Sequence, residues 1–191
     1  MLVLTFVLAN AADMKVATKK LSSYDCNEFS FVSIIGSKLF DEIDSSFGKA
    51  YIAKDGRYKI EIGPDIYLFD GDTLYTYFFD NNQVIIEKPD SGNVVADEIS
   101  FVVKLDEWYD SQALKQKNCF KLVKKENVSG DIPDSMTITL NGRNSTIEMI
   151  EYFDINKDLN RIKIIKQQGD STCERSHFRP VFPDSVEKVR I

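Results

Sequence analysis

The sequence is poor in metal-binding residues, in basic charge and in long apolar runs. It contains one histidine, His177, and three cysteines among 191 residues. A structural zinc site needs about four such ligands at close spacing, and no two of these cysteines have that spacing. Lysine and arginine total 24 against 30 aspartates and glutamates, and the net charge of -6 argues against nucleic acid as the main partner. These shortages point away from zinc-binding and nucleic-acid-binding proteins.

Catalytic motifs are also missing. The chain has no Gly-x-Ser-x-Gly, no His-Glu-x-x-His and no glycine-rich phosphate loop. Cys173 and His177 are four residues apart, and on a strand they would be too distant for a hydrogen bond between their side chains. Asp70 and Asp72 flank Gly71 without the spacing of a calcium-binding loop, so we interpret them as turn formers. The sequence therefore predicts a protein that is not an enzyme and that needs no metal or cofactor.

A short leader-like segment opens the chain. Leu2 to Leu8 form an apolar run, and Ala9-Asn10-Ala11 follows with the small-x-small pattern that precedes a signal-peptidase cut. The run is far shorter than the ~20 residues of a membrane span, and because no basic residue precedes it we expect the leader to begin upstream. The alternative is a buried N-terminal strand. We favour a signal peptide over residues 1–11, a mature domain over residues 12–191, and export to the periplasm.

Export would place the three cysteines in an oxidising compartment, where one disulfide and one free thiol are expected. We predict that Cys119 pairs with Cys173 and that Cys26 stays reduced. Both partners lie in the C-terminal half, where neighbouring strands can approach within the ~6 Å Cα separation that a disulfide needs. The alternative is three free thiols.

Strand patterns dominate after one short helix. Apolar residues recur at helical spacing over residues 12–21, which predicts an amphipathic helix. Residues 58–62 and 136–140 alternate strictly between apolar and polar, as half-buried strands do. Residues 97–114 fit either a helix face or a strand, and we favour one or two short helices there. The whole pattern predicts about nine or ten strands joined by tight turns.

A sheet of this length tends to curl, because strands twist and open edges are a liability. We therefore predict a mainly β protein of the α+β class: a single curved antiparallel sheet forming an open half-barrel, with a short helical lid and an apolar interior. Period-two alternation places one set of side chains on the inner face. This set is Tyr58, Ile60, Ile62, Tyr75, Tyr77, Met136, Ile138, Leu140 and Met149. Each member is interpreted either as the wall of a ligand cavity or as ordinary sheet core.

The middle of the chain resembles a known family. Residues Leu68-Phe69-Asp70-Gly71-Asp72-Thr73-Leu74-Tyr75-Thr76-Tyr77 resemble the central signature of LolA-type lipoprotein carriers, in which a strand, an Asp-Gly turn and a Leu-aromatic-x-Tyr strand follow one another. Further elements of that family are similar to Phe47 to Ile52, to Asn82-Gln83-Val84, and to Phe178 with Pro183 to Val186. The resemblance runs over most of the chain after the leader.

The resemblance implies a function in binding. LolA-type proteins hold lipoprotein acyl chains in an apolar cavity and carry them from the inner to the outer membrane. We therefore expect a monomeric carrier whose partners are lipoprotein acyl chains, an inner-membrane release complex and an outer-membrane acceptor. One motif departs from the family pattern, because Asp55-Gly56, beside Lys54 and Arg57, stands where the family has Arg-Pro. The family's mode of release is therefore not carried over.

A second class of function stays open. The protein could be a periplasmic interaction or scaffold protein, or another lipid-binding protein of the same fold without lipoprotein cargo. A solvent-open cavity lined by apolar side chains would favour the carrier. A filled interior would favour the scaffold.

Overall fold

The computed structural model describes residues 13–37, 42–89, 96 and 98–191, and these residues build one sheet with short helices packed against it. The predicted leader over residues 1–11 and the predicted mature start at Ala12 lie outside the described residues. The helices are α1 (Met14–Ser23) and α2 (Leu105–Trp108), with 3-10 helices over Ser100–Lys104 and Arg175–Phe178. The strands are β1 (Cys26–Ser37), β2 (Glu42–Ala53), β3 (Tyr58–Ile62), β4 (Asp65–Phe69), β5 (Leu74–Phe78), β6 (Gln83–Glu87), β7 (Tyr109–Ala113), β8 (Cys119–Lys124), β9 (Ser135–Leu140), β10 (Ile147–Phe153), β11 (Leu159–Asp170) and β12 (Glu187–Arg190).

The strands of the described chain form a single 12-stranded sheet in the order β12-β6-β5-β4-β3-β2-β1-β11-β10-β9-β8-β7. Neighbouring strands are antiparallel except β12, which pairs with β6 in parallel. The sheet is open, with β12 and β7 as its two edges. The predicted fold class, a mainly β protein built on one open half-barrel sheet, is confirmed. The strand number exceeds the expected nine or ten, because β7 lies where helices were favoured and β12 has only four residues.

Inner-face side chains from both halves of the sheet meet in one apolar core. Phe29 and Phe31 of β1 are fully buried there, together with Ile60 of β3 and Ile138 of β9. The ring of Phe31 lies over Gly48 of the neighbouring strand β2, where an added Cβ would overlap the ring. The absence of a side chain at this glycine therefore lets a large aromatic ring lie flat against the middle of the sheet.

Three short helices cover the inner face, and we call them the lid: α1, the 3-10 helix Ser100–Lys104 and α2. Helix α1 begins where a carboxylate oxygen of Asp13 accepts the backbone N–H of Lys15 at 2.8 Å, which satisfies one of the unpaired donors of the first turn. Its buried apolar side chains are Met14, Ala17 and Leu21. The helix predicted over residues 12–21 is therefore confirmed, with its end two residues later. The helical interpretation of residues 97–114 holds for residues 100–108 and is wrong for β7.

The disulfide joins Cys26 to Cys173, whose Cα atoms are 4.9 Å apart, so the predicted pairing of Cys119 with Cys173 is wrong. Cys26 begins β1, and the register of β1 with β11 sets it opposite Asp170, shortly before Cys173. Cys119 begins β8, which lies four strands from β1 in the sheet, and its thiol is free and buried. The bond thus depends on a pairing between strands that are distant in sequence, which no local pattern reveals.

The segment after β11 crosses the outer face of the sheet. Phe178 packs beside the disulfide at Cys26, and Phe182 and Val186 join a cluster with Tyr77 on the outer side of β5. Strand β12 then adds to the edge of β6. Strands β4 to β6 are consequently apolar on both faces.

Within the described residues, no helix is long and apolar enough to cross a membrane. In the same part of the chain, no three His, Cys, Asp or Glu side chains gather where they could hold a metal ion. Asp70 instead accepts the backbone N–H groups of Asp72 and Thr73 at 3.0 and 2.9 Å, which is the geometry of a turn former.

Candidate ligand-binding site

Six of the predicted cavity residues lie on the inner face. On β3, Tyr58 and Ile60 are fully buried in the core, and half-buried Ile62 packs against it. The remaining three are core residues of β9, namely Met136, Ile138 and Leu140. The strict alternation of apolar and polar residues predicted the inner-face position of these six residues correctly, because only one face of each strand is apolar. Their role in binding a ligand remains a prediction.

Tyr75 and Tyr77 lie on the outer face, so their predicted place on the inner wall is wrong. Their ring centroids are 6.0 and 5.6 Å from that of Phe182 in the C-terminal segment. The inward residue at this end of β5 is Leu74, which packs against the inner core. Because this part of the sheet is covered on both sides, apolar residues occur at successive positions and alternation does not indicate the inner face.

Met149 also lies on the outer face, contrary to prediction. It is paired with Thr139 on β9 and with Lys163 on β11, whereas Ile147 and Ile150 are buried in the core. A register shift between Ile147 and Met149 inserts one residue into β10. This bulge moves the inward side chain from position 149 to position 150.

Side chains fill the space between the lid and the sheet in the part of the molecule that the structure describes. Large residues such as Phe29, Phe31, Tyr58 and Phe101 are fully or almost fully buried there. The solvent-open cavity that would favour a carrier is therefore not present between these residues while the lid is closed. An apolar ligand can reach the inner face only where the lid separates from the sheet.

Two clefts lie where helix α1 meets the neighbouring elements. A cleft of about 300 Å³ lies beside α1 where it approaches α2 and β8, and Met14, Leu105 and Leu122 form part of its wall. Another of about 280 Å³ lies between α1 and the 3-10 helix, beside Leu21 and Val103. Both clefts reach core side chains, so the contact between α1 and the rest of the lid is interrupted at two places.

Few polar contacts hold α1 in place. Among the described residues, the amide nitrogen of buried Asn27 donates to the carbonyl of Leu21 at 3.0 Å, and the backbone N–H of the cap Asp13 donates to the hydroxyl of Ser145 at 3.4 Å. The first bond satisfies a carbonyl at the C-terminal end of the helix. The rest of the attachment is apolar contact, which a hydrocarbon ligand can replace.

A larger cleft, here called the end cleft, opens at one end of the core. Its volume is about 520 Å³, and Phe101, Ile132 and Tyr152 line it together with polar residues of the β8–β9 connection. Burial, reinforced by the charge of Glu98, raises the pKa of the Tyr152 hydroxyl far above its usual value. Tyr152 therefore stays uncharged at physiological pH, but the end cleft is not apolar, because ionisable side chains also line it: Glu98, Lys124, Asp131, Asp134 and Asp154.

The chemistry of the inner face is apolar. Among the described residues, every buried side chain that is not hydrophobic is an uncharged alcohol or amide, namely Thr18, Asn27, Ser33, Thr73, Ser100 and Asn160. A surface of this composition binds hydrocarbon through hydrophobic and dispersion contacts. It places no buried ionised group against a ligand.

Asp55-Gly56, which stands where LolA-type proteins have Arg-Pro, lies in a turn in which Arg57 pairs with Asp55. Arg57 donates through Nε to both carboxylate oxygens of Asp55 at 3.0 and 2.9 Å, and its guanidinium lies 4.8 Å from the ring centroid of Phe178. Burial would raise the pKa of Asp55, but the hydrogen bonds and charge of Arg57 outweigh it and hold that pKa below its usual value. Arg57 is therefore engaged with its own turn and with the C-terminal segment.

No protein-family model matches the chain, and no curated protein sequence matches it either. Solved structures do match. An uncharacterized conserved protein from Thermus thermophilus aligns with a TM-score of 0.53 and 11% identity, over 93% of this chain and 96% of that one. The chain shares the fold of that protein.

Two further solved structures align less closely. A LolA superfamily protein from Nitrosomonas europaea has a TM-score of 0.47 and 9% identity, over 89% of this chain and 98% of that one. A DUF1329 family protein from Desulfovibrio piger has a TM-score of 0.47 and 11% identity, over 86% of this chain and 95% of that one. The architecture that the LolA resemblance implied, an open sheet with helices on one face, is confirmed as a fold.

Proposed function

We propose that the protein binds the acyl chains of lipoproteins on its inner face and carries them through the periplasm from the inner to the outer membrane. The supporting observation is a mainly apolar inner face, with no buried ionised side chain among the described residues, beneath a small lid with few polar attachments. We infer that helix α1 of the lid swings away and that the acyl chain takes its place against the sheet. The protein would act by binding and not by catalysis.

The free energies of burial favour replacing α1 by an acyl chain. Burying Met14 or Leu21 is worth roughly 1.5–3 kcal/mol each, and Ala17 contributes less. An acyl chain of ~15 methylenes gains about 12 kcal/mol when it leaves water, at ~0.8 kcal/mol per CH₂. The chain therefore gains more from an apolar surface than α1 loses by leaving it.

The large free energy that an acyl chain gains on leaving water also requires partner proteins at the inner and at the outer membrane. A chain held this strongly does not return to water, so it must pass directly between apolar environments. We propose a release complex in the inner membrane as donor and an acceptor at the outer membrane, with the monomeric carrier between them. The LolA resemblance around residues 68–77 supports this assignment.

The lid provides the most direct test of the proposal. Met14→Ala removes apolar contact under α1 and makes opening easier, so affinity for a triacylated lipopeptide should rise by about three- to tenfold. The matched control is Val16→Ala, because Val16 is on the same helix with 52% of its surface exposed. Binding is followed by the fluorescence of Trp108, the single tryptophan, which packs half-buried against the core. Equal affinities for the two variants would show that α1 is not displaced.

An interaction or scaffold protein is the second candidate, because the interior is filled while the lid is closed. Such a protein would bind the lipopeptide no more tightly than the same peptide without its acyl chains. Titrating both peptides into the unmodified protein separates the two functions. The carrier requires strong preference for the acylated form.

A further inference from the structure

A pocket on the outer face lies on the opposite side of the sheet from the lid, and we call it the outer pocket. It has a volume of about 650 Å³, within the 300–1,000 Å³ range of small-molecule sites. Its floor is formed by Tyr75, Val84 and Ile86, and Phe182 covers one side. The floor is therefore an apolar surface that is separate from the inner core.

The rim of the outer pocket is cationic. Lys188 and Arg190 of β12 lie opposite Val84 and Ile86 of β6, so both point to the same face as the apolar floor. Lys88 joins them on the rim. Among the described residues that line the pocket, Glu87 is the only one with an acidic side chain. In a protein of net charge -6, this is a local excess of positive charge.

Two of these cations are available for a ligand. Lys88 is held by Asp72, with Nζ 3.2 Å from a carboxylate oxygen. Within the described residues, neither Lys188 nor Arg190 takes part in a salt bridge, and both are exposed. Because they are two positions apart on one strand, their side chains stand about 7 Å apart along one face. An anionic group at the rim can therefore accept hydrogen bonds from both.

We propose that the outer pocket binds a single-chain amphiphile with an anionic head group. The acyl part lies on Tyr75, Val84 and Ile86, and the head group is bound by Lys188 and Arg190. Charge complementarity selects the anion, and the apolar floor selects an attached chain over a small free ion. The site is distinct from the inner face, and neither proposal requires the other.

The pocket is held by contacts that do not involve the two cations. Asn82 donates from its side chain to the carbonyl of Ser185 at 2.9 Å, and the backbone N–H of Glu187 donates to the carbonyl of Asn82 at 3.0 Å. Val186 is buried beside Val84. Reversing the charge of the two exposed cations should therefore leave β12 in place.

The probe is dodecanoate below its critical micelle concentration, titrated into the full chain and followed by amide NMR. Shifts are expected at residues 84–88 and 182–190, with no change in Trp108 fluorescence, because Trp108 lies on the lid side. Lys188→Glu/Arg190→Glu should weaken binding by at least about tenfold, since each charge-assisted hydrogen bond is lost. The matched control is Lys117→Glu/Lys121→Glu, which makes the same charge change near the opposite edge of the sheet.

Two ligand controls complete the experiment. Dodecyl maltoside has the chain without the charge, and acetate has the charge without the chain, so both should bind at least about tenfold more weakly than dodecanoate. The proposal is overturned if either control ligand binds as well as dodecanoate, if the shifts map to the inner face, or if the paired variants behave alike. Should Lys188→Glu/Arg190→Glu change the amide spectrum throughout, Arg190→Gln alone replaces it and should still weaken binding severalfold.

Discussion

At the scale of single residues, the centre of the sheet depends on a missing side chain. Phe31 lies against the backbone of Gly48, in a space that a Cβ would occupy. Gly36, on the same strand as Phe31, has only the carbonyl oxygen of Leu159 near its missing Cβ, at 3.8 Å. The two glycines thus differ in packing while sharing an extended strand conformation.

We expect Gly48→Ala to destabilise the protein by about 1–3 kcal/mol, because the new methyl group forces the Phe31 ring out of its position. Gly36→Ala should change the free energy of unfolding little, since that site has room and alanine lowers the entropy of the unfolded chain. Urea unfolding of both variants gives the comparison. Equal losses of stability would show that Phe31 does not lie on Gly48.

The cysteines offer another test at this scale. Cys26→Ser/Cys173→Ser should lower stability by about 2–5 kcal/mol, because the bond closes a loop between residues 147 apart. Cys119→Ser, which leaves the bond intact, should cost less. Mass spectrometry after alkylation should find one reactive thiol, at Cys119, and only after unfolding, since that side chain is buried. Alkylation of Cys26 in the native, oxidised protein would contradict this pairing.

At the scale of elements, we propose that helix α1 is the part of the lid that opens. Helix α1 has ten residues, a length that is marginal for a helix without tertiary support. Its stability in the protein comes from one N-terminal cap, from the hydrogen bond of Asn27 to the carbonyl of Leu21, and from apolar contact with the core. A weaker cap therefore favours the open lid without altering the sheet.

Removing that cap should expose α1 to solvent exchange. Asp13→Ala deletes the acceptor of the Lys15 N–H and should destabilise the helix by roughly 0.5–2 kcal/mol, which raises amide hydrogen exchange in residues 14–23 about three- to thirtyfold. Asp170→Ala is the control, because Asp170 accepts the N–H of Thr172 at 2.9 Å in a turn outside the lid. Unchanged exchange in α1 would show that the cap does not hold the lid.

The elements also show what sequence alone can predict. Residues 58–62 are a strand with the predicted bounds, and residues 136–140 lie within β9. Both were predicted correctly because a strict alternation of apolar and polar residues fits only a half-buried strand with its apolar side chains facing inward. The helical spacing of apolar residues likewise predicted α1, and each predicted end lies two residues before the observed end. These successes placed six of the nine predicted cavity residues on the inner face.

The failures have physical reasons of three kinds. Tyr75 and Tyr77 face outward because the C-terminal segment covers β5 from outside, and Met149 faces outward because of a bulge. The disulfide of Cys26 depends on the pairing of β1 with β11. The first and the last depend on contacts between segments distant in sequence, and the bulge depends on how β10 pairs with β9. A pattern read along the chain contains neither kind of information.

At the scale of the whole molecule, one open sheet separates two apolar regions. The inner face is closed by the lid, and the outer face of β4 to β6 is closed by the C-terminal segment. The proposed binding of an acyl chain under the lid would account for the covering of so large an apolar surface by such short helices. It would also account for the filled interior, since an exposed apolar cavity is costly in water.

The most direct test locates the acyl chain itself. A lipopeptide with a nitroxide at the end of one acyl chain is titrated into the Lys188→Glu/Arg190→Glu variant, in which the outer pocket is disabled, and isoleucine methyl resonances are recorded. We predict strong broadening at Ile60 and Ile138 of the inner face and none at Ile43 or Ile165, which are exposed. Sharp inner-face resonances with a bound lipopeptide would contradict the account.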